Sequence, residues 1–260
     1  YNRKQRMIDI LLQNKGLEFG KKVLYKCYGI NEIEIPSTIK IICESAFQES
    51  TVKKVIIPES VTTIEKNAFK GCSLLEEIVI PDSVQSIGER AFEKCTSLKK
   101  VTLSNSITAI ENGSFSECSN LVVIEIPSSV TKIGENAFNS CKVLKKMTIP
   151  SSVESIGNEC FYDCTLLKDV RIQSNLTVLS NSIFKKCTSL TFIEIPSSVT
   201  LIGDYSFSES GIKEITFPSS VTTIGSNAFT NCNSLTKVVI PKSVTLIEGS
   251  AFSKCSSLKI

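Results

Sequence analysis

Pro81-Asp82-Ser83-Val84-Gln85-Ser86-Ile87-Gly88-Glu89-Arg90-Ala91-Phe92, followed by Cys95, Leu98, Val101 and Leu103, is the stretch whose reading decides the fold. The same frame restarts at Pro36, Pro58, Pro81, Ser104, Pro127, Pro150, Gln173, Pro196, Pro218 and Pro241, a period of 22 or 23 residues. Eleven residues after each anchor stands a phenylalanine: Phe47, Phe69, Phe92, Phe115, Phe138, Phe161, Phe184, Phe207, Phe229 and Phe252. A fixed period of this size defines a solenoid, in which each repeat buries its apolar face against its neighbours alone.

Numbered from the anchor, apolar residues recur at −6, −3, −1, +3, +6, +10, +11 and +14. In the third repeat these are Leu75, Ile78, Ile80, Val84, Ile87, Ala91, Phe92 and Cys95. From −4 to −1 the pattern alternates (Glu77, Ile78, Val79, Ile80), which is the signature of a short half-buried strand. Proline ends it, because a proline at the anchor donates no ladder hydrogen bond. From +7 to +14 the apolar spacings of three and four predict one helical or 3₁₀-like turn. Polar pairs such as Glu89-Arg90 and Glu93-Lys94 then face water on the outer wall. Position +2 reads Thr38, Ser60, Ser83, Ser106, Ser129, Ser152, Asn175, Ser198, Ser220 and Ser243. Small hydrogen-bonding side chains in one row predict a ladder that satisfies backbone groups at the turn leaving the strand.

Eight of the eleven cysteines stand at +14: Cys72, Cys95, Cys118, Cys141, Cys164, Cys187, Cys232 and Cys255. The two repeats that carry Ser50 and Ser210 there are one residue short, so the cysteine belongs to a local turn geometry. Metal ligands usually come as CxxC pairs, whereas these recur once per repeat. Stacking puts successive +14 Cα atoms about 5 Å apart, within disulfide range. Side chains that all point one way into a core rarely reach the required torsion, so the reading is a row of buried, reduced thiols. Cys160, at +10, has the same reading; Cys27 and Cys43 are less constrained.

The net charge of +3 is too small to imply nucleic acid or membrane binding. No apolar stretch approaches the roughly 20 residues that span a bilayer. Histidine is absent, which removes the Ser-His-Asp and Cys-His nucleophile pairs and the commonest general base. No phosphate loop and no GxGxxG is present, and no catalytic, cofactor-binding or metal-ligating residue is assigned.

Residues 1–35 read as an N-terminal cap with a degenerate first repeat, and 36–260 as ten repeats of 22–23 residues, the last truncated. In the degenerate repeat Leu24 takes the phenylalanine position, Cys27 the cysteine position, and Ile30, Ile33 and Ile35 the strand positions. Phe19-Gly20 resembles the Ile-Gly step. Met7, Ile10 and Leu11 between Arg3 and Asn14 have helical spacing and suit a capping helix. A chain from Tyr1 to Ile260 that stops within a repeat reads as a fragment of a longer protein.

The frame LxxIxIPxSVxxIGxxAFxxC resembles the BspA-like, or Treponema pallidum type, leucine-rich repeats, over residues 17–260. The resemblance implies an α/β-type repeat solenoid. A curved parallel β-sheet lines the concave side, and short helical, 3₁₀ or irregular coil lines the convex side. It implies surface or secreted proteins of bacteria and parasitic protists that adhere to host or microbial proteins. On that reading the chain is a non-enzymatic adhesin whose partner is a protein, such as host extracellular matrix or another microbe's surface protein. It binds no nucleic acid, inserts in no membrane and needs no cofactor. The alternative is an intracellular, cytoplasmic scaffold. The binding face would be the outward −4 and −2 positions, with Lys54, Glu77, Lys100, Val123, Lys146, Asp169, Arg171, Phe192 and Glu194 as candidate contacts. Lys53, Lys99, Lys145, Lys168 and Lys213 at −5 extend it. These positions vary while the core positions do not, and Phe192 is an aromatic where exposure is expected. Two sequons occur. Asn112 lies on the outer coil and suits a glycan, whereas Asn175 falls in the +2 ladder and is expected to be unmodified.

Overall fold

The computed structural model describes Glu18–Phe19 and residues 29–259. Arg3–Asn14, Leu24 and Cys27 lie outside the described residues. Every repeat makes one circuit of a parallel β-solenoid. The circuit carries two short extended segments, and each of these stacks on its counterparts above and below.

The first segment is the strand predicted at −4 to −1, which spans −4 to −2 in several repeats and the full −4 to −1 at Lys146–Ile149 and Asp169–Ile172. Five such strands, from Glu32–Glu34 through Lys54–Ile56, Glu77–Val79 and Lys100–Thr102 to Val123–Ile124, form one parallel sheet in single-step order. Lys146–Ile149 pairs with Asp169–Ile172, and Glu214–Thr216 pairs with Lys237–Val239. Residues keep their row: Glu77 lies opposite Lys54 on one side and Lys100 on the other. Alternation holds along this face, with Glu77 and Val79 exposed and Ile78 buried. Thr191–Ile195 keeps the alternation without strand pairing, so the regular strand expected around Phe192 is an extended segment instead. The turn before it is irregular as well: Gln173 replaces proline, and the hydroxyl of Ser174 is buried without a hydrogen-bond partner.

The second segment was not foreseen. Positions +5 and +6 form two-residue strands, such as Thr63–Ile64 and Ser86–Ile87, paired in parallel. Glu18–Phe19 pairs with Ile41–Ile42, which puts Phe19 in the row of the Ile-Gly step. Gly88 follows that step because a Cβ there would sit 2.4 Å from the backbone nitrogen of Lys66 in the preceding repeat.

The expected helical turn on the outer wall is absent: among the described residues there is no helix. In every repeat the residues at +9 and +13 adopt left-handed backbone, among them Arg90 (φ 55°) and Lys94 (φ 63°), with Gly113 and Gly71 at two of these places. Two left-handed residues four apart prevent a right-handed helix. Backbone donors alternate instead. Arg90, Phe92 and Lys94 donate outward to the carbonyls of Asn112, Ser114 and Ser116 in the next repeat, at 2.9, 2.9 and 2.8 Å. Ala91, Glu93 and Cys95 donate back to Gly88, Arg90 and Phe92 in their own repeat. The 3–4 apolar spacing therefore reports a row of tight turns hydrogen-bonded between repeats.

The core is a set of continuous rows. Nine successive phenylalanine pairs stack from Phe47 to Phe252, with ring centroids 4.7–5.6 Å apart. Beside them runs a thiol row. Cys95 donates to the carbonyl of Phe69 at 3.1 Å, Cys118 to Phe92 at 3.1 Å and Cys141 to Phe115 at 3.3 Å. All eight +14 cysteines make this bond. The cysteines of the described residues are free thiols, and at +14 all but Cys255 are fully buried. In the short repeats Ser50 and Ser210 meet the next thiol, Cys72 or Cys232, at 3.5 Å.

The +2 ladder forms at Ser60, Ser83, Ser106, Ser152, Ser198 and Ser220, where it runs between repeats, whereas the hydroxyls of Ser129 and Ser243 are buried without a partner. Ser83 Oγ donates to the carbonyl of Val61 at 2.8 Å, and Ser152 to that of Val130 at 2.8 Å. Asn175 is exposed and takes no part in it.

Candidate functional site

The site is built on the outward rows of the first sheet, because core packing fixes only the inward residues. Along row −4 the order is Glu32, Lys54, Glu77, Lys100, Val123, Lys146, Asp169, Phe192, Glu214 and Lys237. Row −5 runs beside it. Backbone bonds from Glu76 to Lys53, Lys99 to Glu76, Val122 to Lys99 and Lys168 to Lys145 put those residues side by side.

In the first four repeats lysine and glutamate alternate along both rows from Glu32 and Lys53 onward, and two of the neighbouring couples pair. Lys54 Nζ lies 2.6 Å from Glu32 Oε1, and Lys99 Nζ lies 2.7 Å from Glu76 Oε2. The hydrogen bond from Lys99 holds the Glu76 carboxyl below its ordinary pKa and raises that of Lys99. All four groups are more than half exposed, so water screens each pair and it contributes little to stability. Row −2 there carries Ile56 and Val79, the latter 62% exposed. A groove of about 380 Å³ runs along them, bordered by Lys54, Glu77 and Pro81. The sequence places both at outward −2 positions, but neither is among its nine candidate contacts. Their signal was an apolar side chain at an outward position.

The middle of the sheet differs. Val122 and Val123 are exposed. Lys145, Lys146 and Lys168 follow, and among the described residues none of them lies within an ion pair. Asp169 faces Lys146 in register, but its carboxylate is 3.5 Å from Arg171 Nε on its own strand. Phe192 comes next at 65% exposure, with Glu194 exposed two residues on. All nine sequence-assigned contacts therefore belong to one outward face, Asp169 half-buried and the rest exposed.

The outer wall carries a second cluster, in which Lys185 Nζ lies 4.9 Å from the ring centre of Tyr205 and 5.9 Å from that of Tyr162. The two sequons differ in exposure from expectation. Asn112 Oδ1 accepts from the backbone of Glu135 at 2.9 Å, so its side chain is engaged, and Asn175 is the exposed one. Among the described residues no three of Cys, Asp or Glu converge as metal ligands, and no helix is long and apolar enough to cross a membrane.

A chain in which each turn sets one short extended segment on an outward face, paired in parallel in most repeats, and one phenylalanine in a continuous core is a leucine-rich-repeat solenoid. It belongs to the BspA-type leucine-rich repeat family, whose region of six copies matches residues 17–145 and again 132–259. A leucine-rich cell surface protein from Faecalibacterium prausnitzii is 30% identical, with a TM-score of 0.50, over 94% of this chain and 75% of that one. A leucine-rich repeat protein from Bacteroides ovatus is 28% identical, with a TM-score of 0.53, over 94% and 81%. A third, from Eubacterium ventriosum, is 24% identical with a TM-score of 0.61 over 94% and 81% and shares the fold. No curated protein sequence matches the chain.

Proposed function

We propose that this chain is a non-enzymatic recognition module at the cell surface, an adhesin that binds a protein through the outward face of its first sheet. Solenoids offer extended surfaces of this kind to partners. The observation that carries the reading is Phe192, a large aromatic left 65% exposed in a row whose neighbours are charged. Folding gains nothing from its exposure, whereas an aromatic anchor near the centre of an interface is where binding energy concentrates. The surface location rests on family membership and on the relative from Faecalibacterium, which is described as a cell surface protein.

The test is surface plasmon resonance of the chain over a panel of extracellular matrix proteins. Phe192→Ala and Lys146→Gln are expected to weaken binding without lowering the melting temperature. Lys94→Gln, half-exposed on the outer wall, is expected to leave binding unchanged. Loss on the outer-wall change with retention on the other two assigns binding to the opposite face.

A further inference from the structure

We infer that the middle of the outward face, Lys145, Lys146, Lys168 and Arg171 between Val122-Val123 and Phe192, takes an acidic peptide segment that carries apolar side chains. The inference rests on the proposed recognition face and names the chemistry of its partner.

Three observations meet here. The first is charge. Four cations stand on two adjacent strands against the single carboxylate of Asp169. In the first four repeats every lysine of rows −5 and −4 sits beside glutamates instead. The second is a cost that the fold does not need. Lys145 and Lys168 are directly adjacent across the strands, since the Lys168 amide donates to the Lys145 carbonyl at 3.0 Å. Like charges side by side on one sheet face destabilise it. Alternation, used elsewhere in the same row, would remove that penalty. A locally unfavourable arrangement on an exposed face points to binding. The third is the flanking residues. Val122 and Val123 are 52% and 44% exposed on one side and Phe192 is 65% exposed on the other. Val123 and Phe192 are three repeats apart in row −4, which is about 14 Å if the repeats stack at the usual strand spacing.

That geometry favours a peptide over a uniform polyanion. A sulfated sugar or a nucleic acid backbone has no apolar group to set on Val123 and Phe192. An extended peptide advances about 3.4 Å per residue, so two apolar side chains four residues apart span the gap, with carboxylates between them. Glu125 and Glu194, exposed at −2 beside the cations, repel an acidic ligand there and direct it toward rows −4 and −5.

The experiment is selection of a random peptide display library on the immobilised chain, followed by affinity measurement of the enriched peptides at two salt concentrations. The expected result is a class rich in Asp and Glu with apolar residues, whose affinity falls with salt. Lys168→Glu is the decisive variant. It turns the like-charge pair with Lys145 into an opposite one, so the melting temperature is retained or raised. Binding should nevertheless fall about fivefold, and about tenfold or more with Lys146→Glu added. Enrichment of neutral or basic peptides, absence of any enriched class, or binding of heparin but no acidic peptide overturns the inference. Neutral peptides that still require Phe192 would leave the recognition face standing and remove only its charge assignment.

Discussion

A thiol at +14 is both apolar enough to fill the core and able to donate to the phenylalanine carbonyl of the repeat before it. The same carbonyl also accepts the +14 amide of its own repeat, as that of Phe69 does from Cys72 at 3.0 Å, so alanine would remove one of its two bonds without leaving it unpaired. Burial then sets the acid–base behaviour. It pushes the Cys164 thiol up to about 12 and Cys232 up to about 11, and it raises Cys95, Cys141 and Cys187 well above the ordinary value. A folded pKa above the unfolded one means that the unfolded chain loses its protons first. The stabilisation is fully present below about pH 9. It is lost as pH rises from there toward the folded values of about 11 for Cys232 and about 12 for Cys164. Urea denaturation at pH 8 and pH 10 is expected to show a marked drop in midpoint, with Cys164→Ala showing a smaller drop than the parent. Equal drops in both would mean that the thiol row does not titrate with unfolding. Burial of the row was legible in the sequence as one small residue per repeat. The carbonyl that each thiol serves was not, because that contact joins residues about one repeat apart and depends on the path of the outer wall.

Elements in this chain are stabilised by their neighbours more than by their own residues. Outer-wall residues such as Arg90 and Lys94 have no special preference for left-handed backbone, yet they adopt it in every repeat. Each left-handed residue costs roughly 1 kcal/mol, and the amide turned outward by it gains a bond to the next repeat, as Arg90 does to Asn112 at 2.9 Å. This is why the spacing of Ala91, Phe92 and Cys95 was read as a helical turn and proved to be something else. Periodicity reports which side chains are buried, and here a non-helical path buries the same ones. The short strands at +5 and +6 were hidden for a related reason: two residues are too few to show alternation. Phe138→Ala removes one ring from the stack between Phe115 and Phe161 and is expected to cost roughly 3–5 kcal/mol. Coupling is to neighbours only, so hydrogen exchange should accelerate most within residues 115–161. Uniform acceleration along the whole chain would contradict nearest-neighbour coupling.

At the scale of the whole molecule, identical rows in successive repeats make the stack indifferent to how many repeats it holds. The outward face has no such freedom, since each strand contributes its own side chains. Deletion of residues 127–149 separates the two properties. It removes one full period and returns the chain in phase. Phe115 would then meet Phe161, and Cys164 would find the Phe115 carbonyl. The shortened chain is expected to fold with an unchanged circular dichroism spectrum, and with a denaturant slope lower by ~10%, in proportion to the surface lost. A deletion of half that length, residues 127–137, places outward residues against core rows and should prevent folding of the repeats around it. The full-period deletion also takes away Lys145 and Lys146 and puts Val123 beside Asp169, which leaves the cationic strands with Lys168 and Arg171 alone. Binding of an acidic peptide should therefore fall sharply in a protein whose core is intact. If the shortened chain folds and binds as tightly as the parent, recognition lies elsewhere on the solenoid. If it fails to fold, the rows are not interchangeable, and the stack holds a longer-range dependence than contact between neighbouring repeats provides.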